Sequence, residues 1–182
     1  MITLPWFPPL LILVLVVVVI VFISKMGPML TGAQYVPTPM NTARRMLQLA
    51  EVKRGETVYD LGSGDGRLLM IAVQEFGAKA VGVEIDPFRY ALTRLKIKQA
   101  GFGDAVQVKH GNLFDVDLRQ ADVVMIYLLP KTNAKLAPKL LRELKPSARV
   151  VCHAFPIPNW TMAKVDDELM LYRVGEQSVH VL

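Results

Sequence analysis

Three glycines alternate with polar residues in the run Tyr59-Asp60-Leu61-Gly62-Ser63-Gly64-Asp65-Gly66-Arg67. An apolar stretch, Thr57 to Leu61, leads into it, and a helical pattern, Arg67 to Phe76, leads out. Few folds place three glycines between a buried strand and a helix. Glycine permits the left-handed backbone of a tight turn and lets a ligand approach the main chain. The helix that follows offers unpaired N–H groups at its start. A second apolar run, Ala80-Val81-Gly82-Val83, ends on Glu84. An acid about 20 residues beyond such a turn, closing the next strand, is placed to accept the two hydroxyls of a ribose. The chain therefore has to build a β-α-β unit around a nucleoside-bearing cofactor.

The spacing of the glycines narrows the cofactor. Nicotinamide sites favour G-x-G-x-x-G, whereas positions 62, 64 and 66 give G-x-G-x-G, with Asp60 two residues ahead. Acids in the loop repel an anionic pyrophosphate and attract a cation. S-adenosylmethionine (SAM) carries a sulfonium and an ammonium, so Asp60, and with it Asp65, suits SAM. Asp60 with the backbone of Gly62 and Gly64 is expected to hold its methionine part, and Glu84 its ribose. Ile85 is expected to pack on the adenine and Asn112 to read the adenine edge, although Asn112 after Gly111 also suits a loop.

Leu4 to Ile23 contains no charged residue. About 20 apolar residues suffice to cross a hydrocarbon core as a helix. Pro5, Pro8 and Pro9 confine the uninterrupted part to Leu10 onward. A cleaved signal peptide is the rival reading, but no basic region precedes the run and no A-x-A site follows it. The expected organisation is a transmembrane anchor over 1–24, a linker over 25–38 and a catalytic domain over 39–182. Residues 4–23 would then contact the lipid bilayer. Lys25, Arg44 and Arg45 would place the domain of this single-pass protein on the cytoplasmic or equivalent inner side. The net charge of +5 is compatible with an anionic surface, and no nucleic-acid module accompanies it, so no nucleic acid is expected as partner. The three histidines and one cysteine have no metal-ligand spacing, and no metal is expected.

Past the linker the periodicity alternates. It predicts a helix opened by Thr38 as cap and Pro39 at its first position, then strands 57–61, 79–84, 106–110, 122–127 and 149–153. Helices 67–76, 87–100 and 131–144 fall between them. Two final strands, Asp167 to Arg173 and Glu176 to Leu182, read as a hairpin about Gly175. The fold class is α/β: a doubly wound seven-stranded, Rossmann-like sheet with a terminal antiparallel hairpin, preceded by one transmembrane helix. Lys131, Lys135, Lys139 and Arg142 recur at helical spacing as a basic stripe.

Four segments carry a family resemblance: Tyr35-Val36-Pro37-Thr38, the glycine loop, Asn112-Leu113-Phe114, and Ala148 to Cys152 leading into Phe155-Pro156-Ile157-Pro158-Asn159-Trp160. The chain resembles class I SAM-dependent methyltransferases. More narrowly, it is similar to the membrane-anchored lysine methyltransferases of the adenine nucleotide translocase and the ATP synthase c-ring protein. The resemblance implies SAM as cofactor and a protein-lysine N-methyltransferase acting on a membrane protein. A small-molecule or lipid methyltransferase, and a non-catalytic tethered SAM-binding protein, are the alternatives. Asn112 stands where the family usually has Asp, and Tyr127-Leu128-Leu129-Pro130 where it has Phe-Gly-Val-Pro. Tyr35 and Tyr127 are the candidate catalytic residues, framing a narrow acceptor channel in which positioning does most of the work. Trp160 reads as a wall of that pocket. His153 reads as a proton acceptor or as a strand-end histidine with satisfied bonds.

Overall fold

A computed structural model describes residues 11–19 and 36–177. The chain divides into two units, Met1–Tyr35 and Val36–Leu182. In the first unit, α1 covers residues 11–19, and each of its side chains is exposed. The transmembrane helix expected here is corrected. Among the described residues no helix is long and apolar enough to cross a membrane. At 1.5 Å per residue, the nine described residues of α1 span roughly 14 Å, under half of a hydrocarbon core of about 30 Å. The remainder of the assigned anchor, residues 1–10 and 20–24, lies outside the described residues, as does most of the assigned linker.

The second unit carries the sheet. Its strands are β1 (Thr57–Leu61), β2 (Lys79–Glu84), β3 (Val106–His110), β4 (Val123–Ile126), β5 (Arg149–His153), β6 (Lys164–Asp166) and β7 (Leu169–Arg173). They lie in the order β3-β2-β1-β4-β5-β7-β6. The first five are parallel, and β7 joins β5 antiparallel. Helices α2 (Met40–Leu49), α3 (Arg67–Phe76), α4 (Pro87–Gln99) and α5 (Pro130–Glu143) complete the unit. Side chains alternate across the pleat. Val58, Ala80, Val123, Met125 and Val151 pack with α2, α3 and α4 on one face; Leu61, Val83, Val124, Ile126, Val150 and Cys152 pack with Leu136 and Leu140 of α5 on the other. Burial on both faces explains why these strands read as continuous apolar runs.

The winding reverses between β1 and β4. β1 runs on to β2 and β3 on one side, and the chain then crosses to β4 on the other. The carboxyl ends of β1, β2, β4 and β5 therefore share one edge, and a ligand crevice opens at the reversal.

Two local expectations are corrected. Thr38 does not cap α2: the helix starts at Met40, its capping position is Pro39, and no side-chain cap bond forms. The final hairpin comes one strand early. β6 and β7 are joined through Asp167, at φ 56°, and Glu168, while Val174–Glu176 is a 3-10 turn. Lys164-Val165-Asp166 is too short and polar to read as a strand, whereas Val179 and Val181 alternate and mimic one. Residues 178–182, the end of that predicted strand, lie outside the described residues.

Candidate active site

The glycine loop is built as a left-handed turn. Gly62, Gly64 and Gly66 have φ of 95°, 55° and 76°. A Cβ on Gly66 would also lie 2.4 Å from Cγ2 of Thr93 on α4. The loop is fastened to β2 from two directions. Gly62 N and Ser63 N donate to Val83 O at 2.9 and 3.0 Å. Gly64 N donates to Glu84 Oε2 at 2.8 Å, and Asp86 N donates to Glu84 Oε1 at 2.8 Å. Thr93 Oγ1 closes the arrangement by donating to Gly64 O at 2.9 Å.

Glu84 is buried and holds the loop in shape, a role its place in the sequence does not disclose. Each carboxylate oxygen accepts one backbone N–H and retains a second lone-pair direction for a ribose hydroxyl. Asp86 caps α4, accepting from Phe88 N and Arg89 N, with Pro87 in the first turn.

Asp60 lies on the neighbouring strand. Its carboxyl makes no hydrogen bond among the described residues, and it keeps partial exposure. Burial, then the charges of Glu84 and Asp65, push its pKa up to about 7. A half-open carboxyl in this state is completed by a cation. Asp65 behaves differently. Arg67 donates to both of its oxygens at 2.9 and 2.8 Å, and these bonds hold its pKa below the ordinary carboxylate value. Lys96 adds a contact at 3.9 Å. Asp65 is thus engaged within the protein, and the part it was expected to share in attracting the cofactor falls to Asp60. Arg67 also donates to Thr38 O at 2.8 Å, tying the segment before α2 to the loop.

Ile85 is exposed at the end of β2, with His110 Nε2 3.1 Å from its carbonyl. Asn112 is exposed, and its Oδ1 accepts from Phe114 N at 3.1 Å, so the side chain shapes the turn after β3. Tyr127 directly follows β4, half-buried, its ring centroid 4.1 Å from that of His153 at the end of β5. The structure thus brings Asp60, Gly62, Gly64, Glu84, Ile85 and Tyr127 to one edge. Tyr35 lies outside the described residues. Trp160, expected as a pocket wall, is half-buried and packs edge-on, at 5.8 Å, against Tyr172, which is fully buried. The basic stripe is interrupted as well. Lys139 is buried against Glu143 at 2.7 Å, and Arg142 pairs with the same carboxylate at 2.9 Å.

The donor set fits SAM. A desolvated, unpartnered carboxyl stands ready for the ammonium, a second carboxylate with spare lone pairs for the ribose, and an exposed aliphatic side chain for the adenine. Fold and site together define a class I SAM-dependent methyltransferase. The family model of the ANTKMT methyltransferase domain matches residues 60–164, and the chain belongs to that family.

A protein-lysine N-methyltransferase of Saccharolobus islandicus is 44% identical over 151 residues, covering 78% of this chain and 94% of that protein. The adenine nucleotide translocase lysine N-methyltransferase of Mus musculus is 36% identical over 134 residues, covering 74% of this chain and 58% of that protein. The chain therefore spans a little over half the length of the mouse relative. Among solved structures, an RNA methyltransferase from Salinibacter ruber in complex with S-adenosyl-L-homocysteine is 41% identical with a TM-score of 0.76. That match covers 80% of this chain and 97% of that one.

Proposed function

We propose that the protein methylates the ε-amine of a lysine in a protein substrate, with Asp60, Gly62, Gly64, Glu84, Ile85 and Asn112 holding SAM and Tyr127 and Tyr35 on the acceptor side. The observation that carries this reading is the Saccharolobus islandicus relative named a protein-lysine N-methyltransferase, nearly all of whose length is matched. The finer reading, a membrane protein as substrate, is supported by the relatives named for the adenine nucleotide translocase and for the c component of ATP synthase.

Bound SAM supplies a methyl group on a sulfonium, which leaves as a neutral thioether. The nitrogen lone pair forms the new C–N bond as the C–S bond breaks, and the product ammonium gives its proton to water. The protein's task is alignment and exclusion of water. Asp60 and Glu84 fix the donor by its two ends, and the Tyr127 face favours a cation at the acceptor mouth.

A second reading is methylation of RNA, favoured by the Salinibacter relative at nearly the same identity. Incubating cell extract with the protein and labelled SAM separates the two. Label removed by protease and located by mass spectrometry on lysine supports the proposal; label removed by nuclease refutes it in favour of RNA.

A further inference from the structure

Thr93 and Ile97 turn α4 towards β2 and β3, and both are buried. The opposite side of the helix carries Phe88, Ala91, Leu92 and Leu95, a stripe at i, i+3, i+4 and i+7. Such a stripe ordinarily faces a core. Here it faces outward: Phe88 is 47%, Leu92 42% and Leu95 51% exposed, and Ala91 is exposed with them. α4 is therefore apolar on two sides, one against the sheet and one against solvent.

The charges beside the stripe have one sign. Residues 87–99 contain Arg89, Arg94, Lys96 and Lys98 and no Asp or Glu. Arg94 and Lys98 border the stripe on one side, Arg89 and Lys96 on the other. Acids lie near the second pair: Arg89 is 3.5 Å from Asp86 and Lys96 is 3.9 Å from Asp65. Arg94 donates to the neutral hydroxyl of Tyr90 at 3.2 Å, its guanidinium 5.6 Å from that ring. Lys98 is exposed in the last turn. The Arg94–Lys98 border thus keeps its positive charge.

Large apolar side chains between cations fit an anionic lipid surface. The apolar face enters the headgroup region, and the basic groups meet the phosphates. Other occupants match less of the surface. RNA would take the cations and leave three large apolar side chains in water. A second copy meeting this face about a twofold axis would bring the same cations of both copies together. As a protein interface, a face about 20 Å long and 10 Å wide falls well short of the roughly 800 Å² that each partner of a standard interface gives. We propose that α4 docks the protein peripherally on an anionic lipid surface, lying along the bilayer with Phe88, Leu92 and Leu95 in the headgroup region. The helix begins three residues after Glu84, so docking holds the cofactor edge beside the surface, where lysines of a membrane protein emerge. The inference goes beyond the lysine reading, and its test involves no methyl acceptor.

The test places an environment-sensitive nitrobenzoxadiazole dye on the full-length protein, at Ala91→Cys within the stripe or at Ala134→Cys, exposed on α5; buried Cys152 stays unlabelled. Comparing the two positions separates α4 from contacts made elsewhere in the chain. Vesicles of phosphatidylcholine and phosphatidylglycerol in equal parts should blue-shift the dye at 91 and leave the dye at 134 unchanged. Pure phosphatidylcholine should give a much smaller shift. Leu92→Gln with Leu95→Gln should raise the lipid concentration for half-response roughly 10-fold. Arg94→Gln with Lys98→Gln should raise it roughly 25-fold, at about 5-fold per cation, and added salt should act in the same direction. These side chains are exposed and outside the cofactor site, so unchanged SAM affinity checks the fold. A dye at 91 that ignores the anionic vesicles, or that shifts no more than the dye at 134, overturns the proposal. So does an equal response to uncharged vesicles, or an unaltered response in both double variants. A shift with single-stranded RNA but not with vesicles overturns it in favour of RNA. A lipid-free shift that follows protein concentration overturns it in favour of a second copy.

Discussion

Replacing Asp60 by asparagine should weaken SAM binding and stabilise the unliganded fold above neutral pH. Burial, reinforced by the charges of Glu84 and Asp65, raises the folded-state pKa to about 7 from 3.8. The folded protein therefore holds the proton more tightly than the unfolded chain. This contribution to stability is complete below about pH 4 and is lost as pH rises through 7. At pH 8 the ionised carboxyl then costs the unliganded fold up to about 4 kcal/mol. The ammonium of SAM offsets that cost, because it supplies the counter-charge. Below pH 7 the proton must leave first, so affinity should fall about 10-fold per pH unit, to roughly one hundredth of its plateau at pH 5. Asp60→Asn should abolish this slope and lower affinity at pH 7.5 by roughly 10- to 100-fold, as for a lost charge-assisted bond. Calorimetry in buffers of different ionisation enthalpy counts the protons released; melting of the unliganded proteins between pH 4 and 8 reads the stability half. A proton count near zero at pH 5.5 would refute the linkage. So would an Asp60→Asn protein whose affinity still declines on acidification.

Glu84→Ala should lower the melting temperature without any cofactor present, since it strips Gly64 N–H and Asp86 N–H of their acceptor, at about 1–3 kcal/mol each. It should also weaken SAM binding roughly 10- to 100-fold. Gly66→Ala should destabilise the fold by at least about 1–2 kcal/mol through its left-handed backbone. Adding Thr93→Ser, which removes the clashing methyl and keeps the hydroxyl, should recover part of the loss in a denaturant titration. Tyr127→Ala and Tyr35→Ala should each reduce methyl transfer on the order of 100-fold while SAM affinity stays near wild type; equal losses in both quantities would place these residues with the cofactor. The Cys152 thiol, pushed up to about 12 by burial, should resist alkylation at pH 8 in the native protein and react on unfolding.

The cofactor half of this chain is legible because its constraints are local. Positive φ at Gly62, Gly64 and Gly66 leaves glycine as the economical residue, and strands buried on both faces leave unbroken apolar runs. β1, α3, β2, β3 and β5 accordingly lie where the periodicity puts them. Long-range pairing is not written in that way. Nothing adjacent to Arg67 announces that it will reach the carbonyl of Thr38, 29 positions earlier. Nothing near Glu84 announces that it will accept from Gly64, twenty positions earlier. Lys139 sits at helical spacing with exposed lysines, yet α5 turns it inward onto Glu143. The short strand β6 is recognisable only through its pairing with β7, because an edge strand of three residues has too little pattern of its own.

The acceptor half poses a different problem. Relatives at 44% and 41% identity are named for protein lysine and for RNA, so a shared cofactor loop does not decide between them. What decides must lie beyond β4 and β5, where Tyr127 to Pro130 and His153 to Asn159 meet the start of α5. Asn133 links these stretches by holding Phe155 O, and it does so from a helix whose other buried positions are mostly aliphatic. A buried amide in such a place is costly unless its hydrogen bonds are completed. Its donor side is satisfied by Phe155 O and Pro156 O, and its Oδ1 has no partner among the described residues. The residues that separate a lysine acceptor from an RNA acceptor are therefore to be sought outside the cofactor loop that both relatives share.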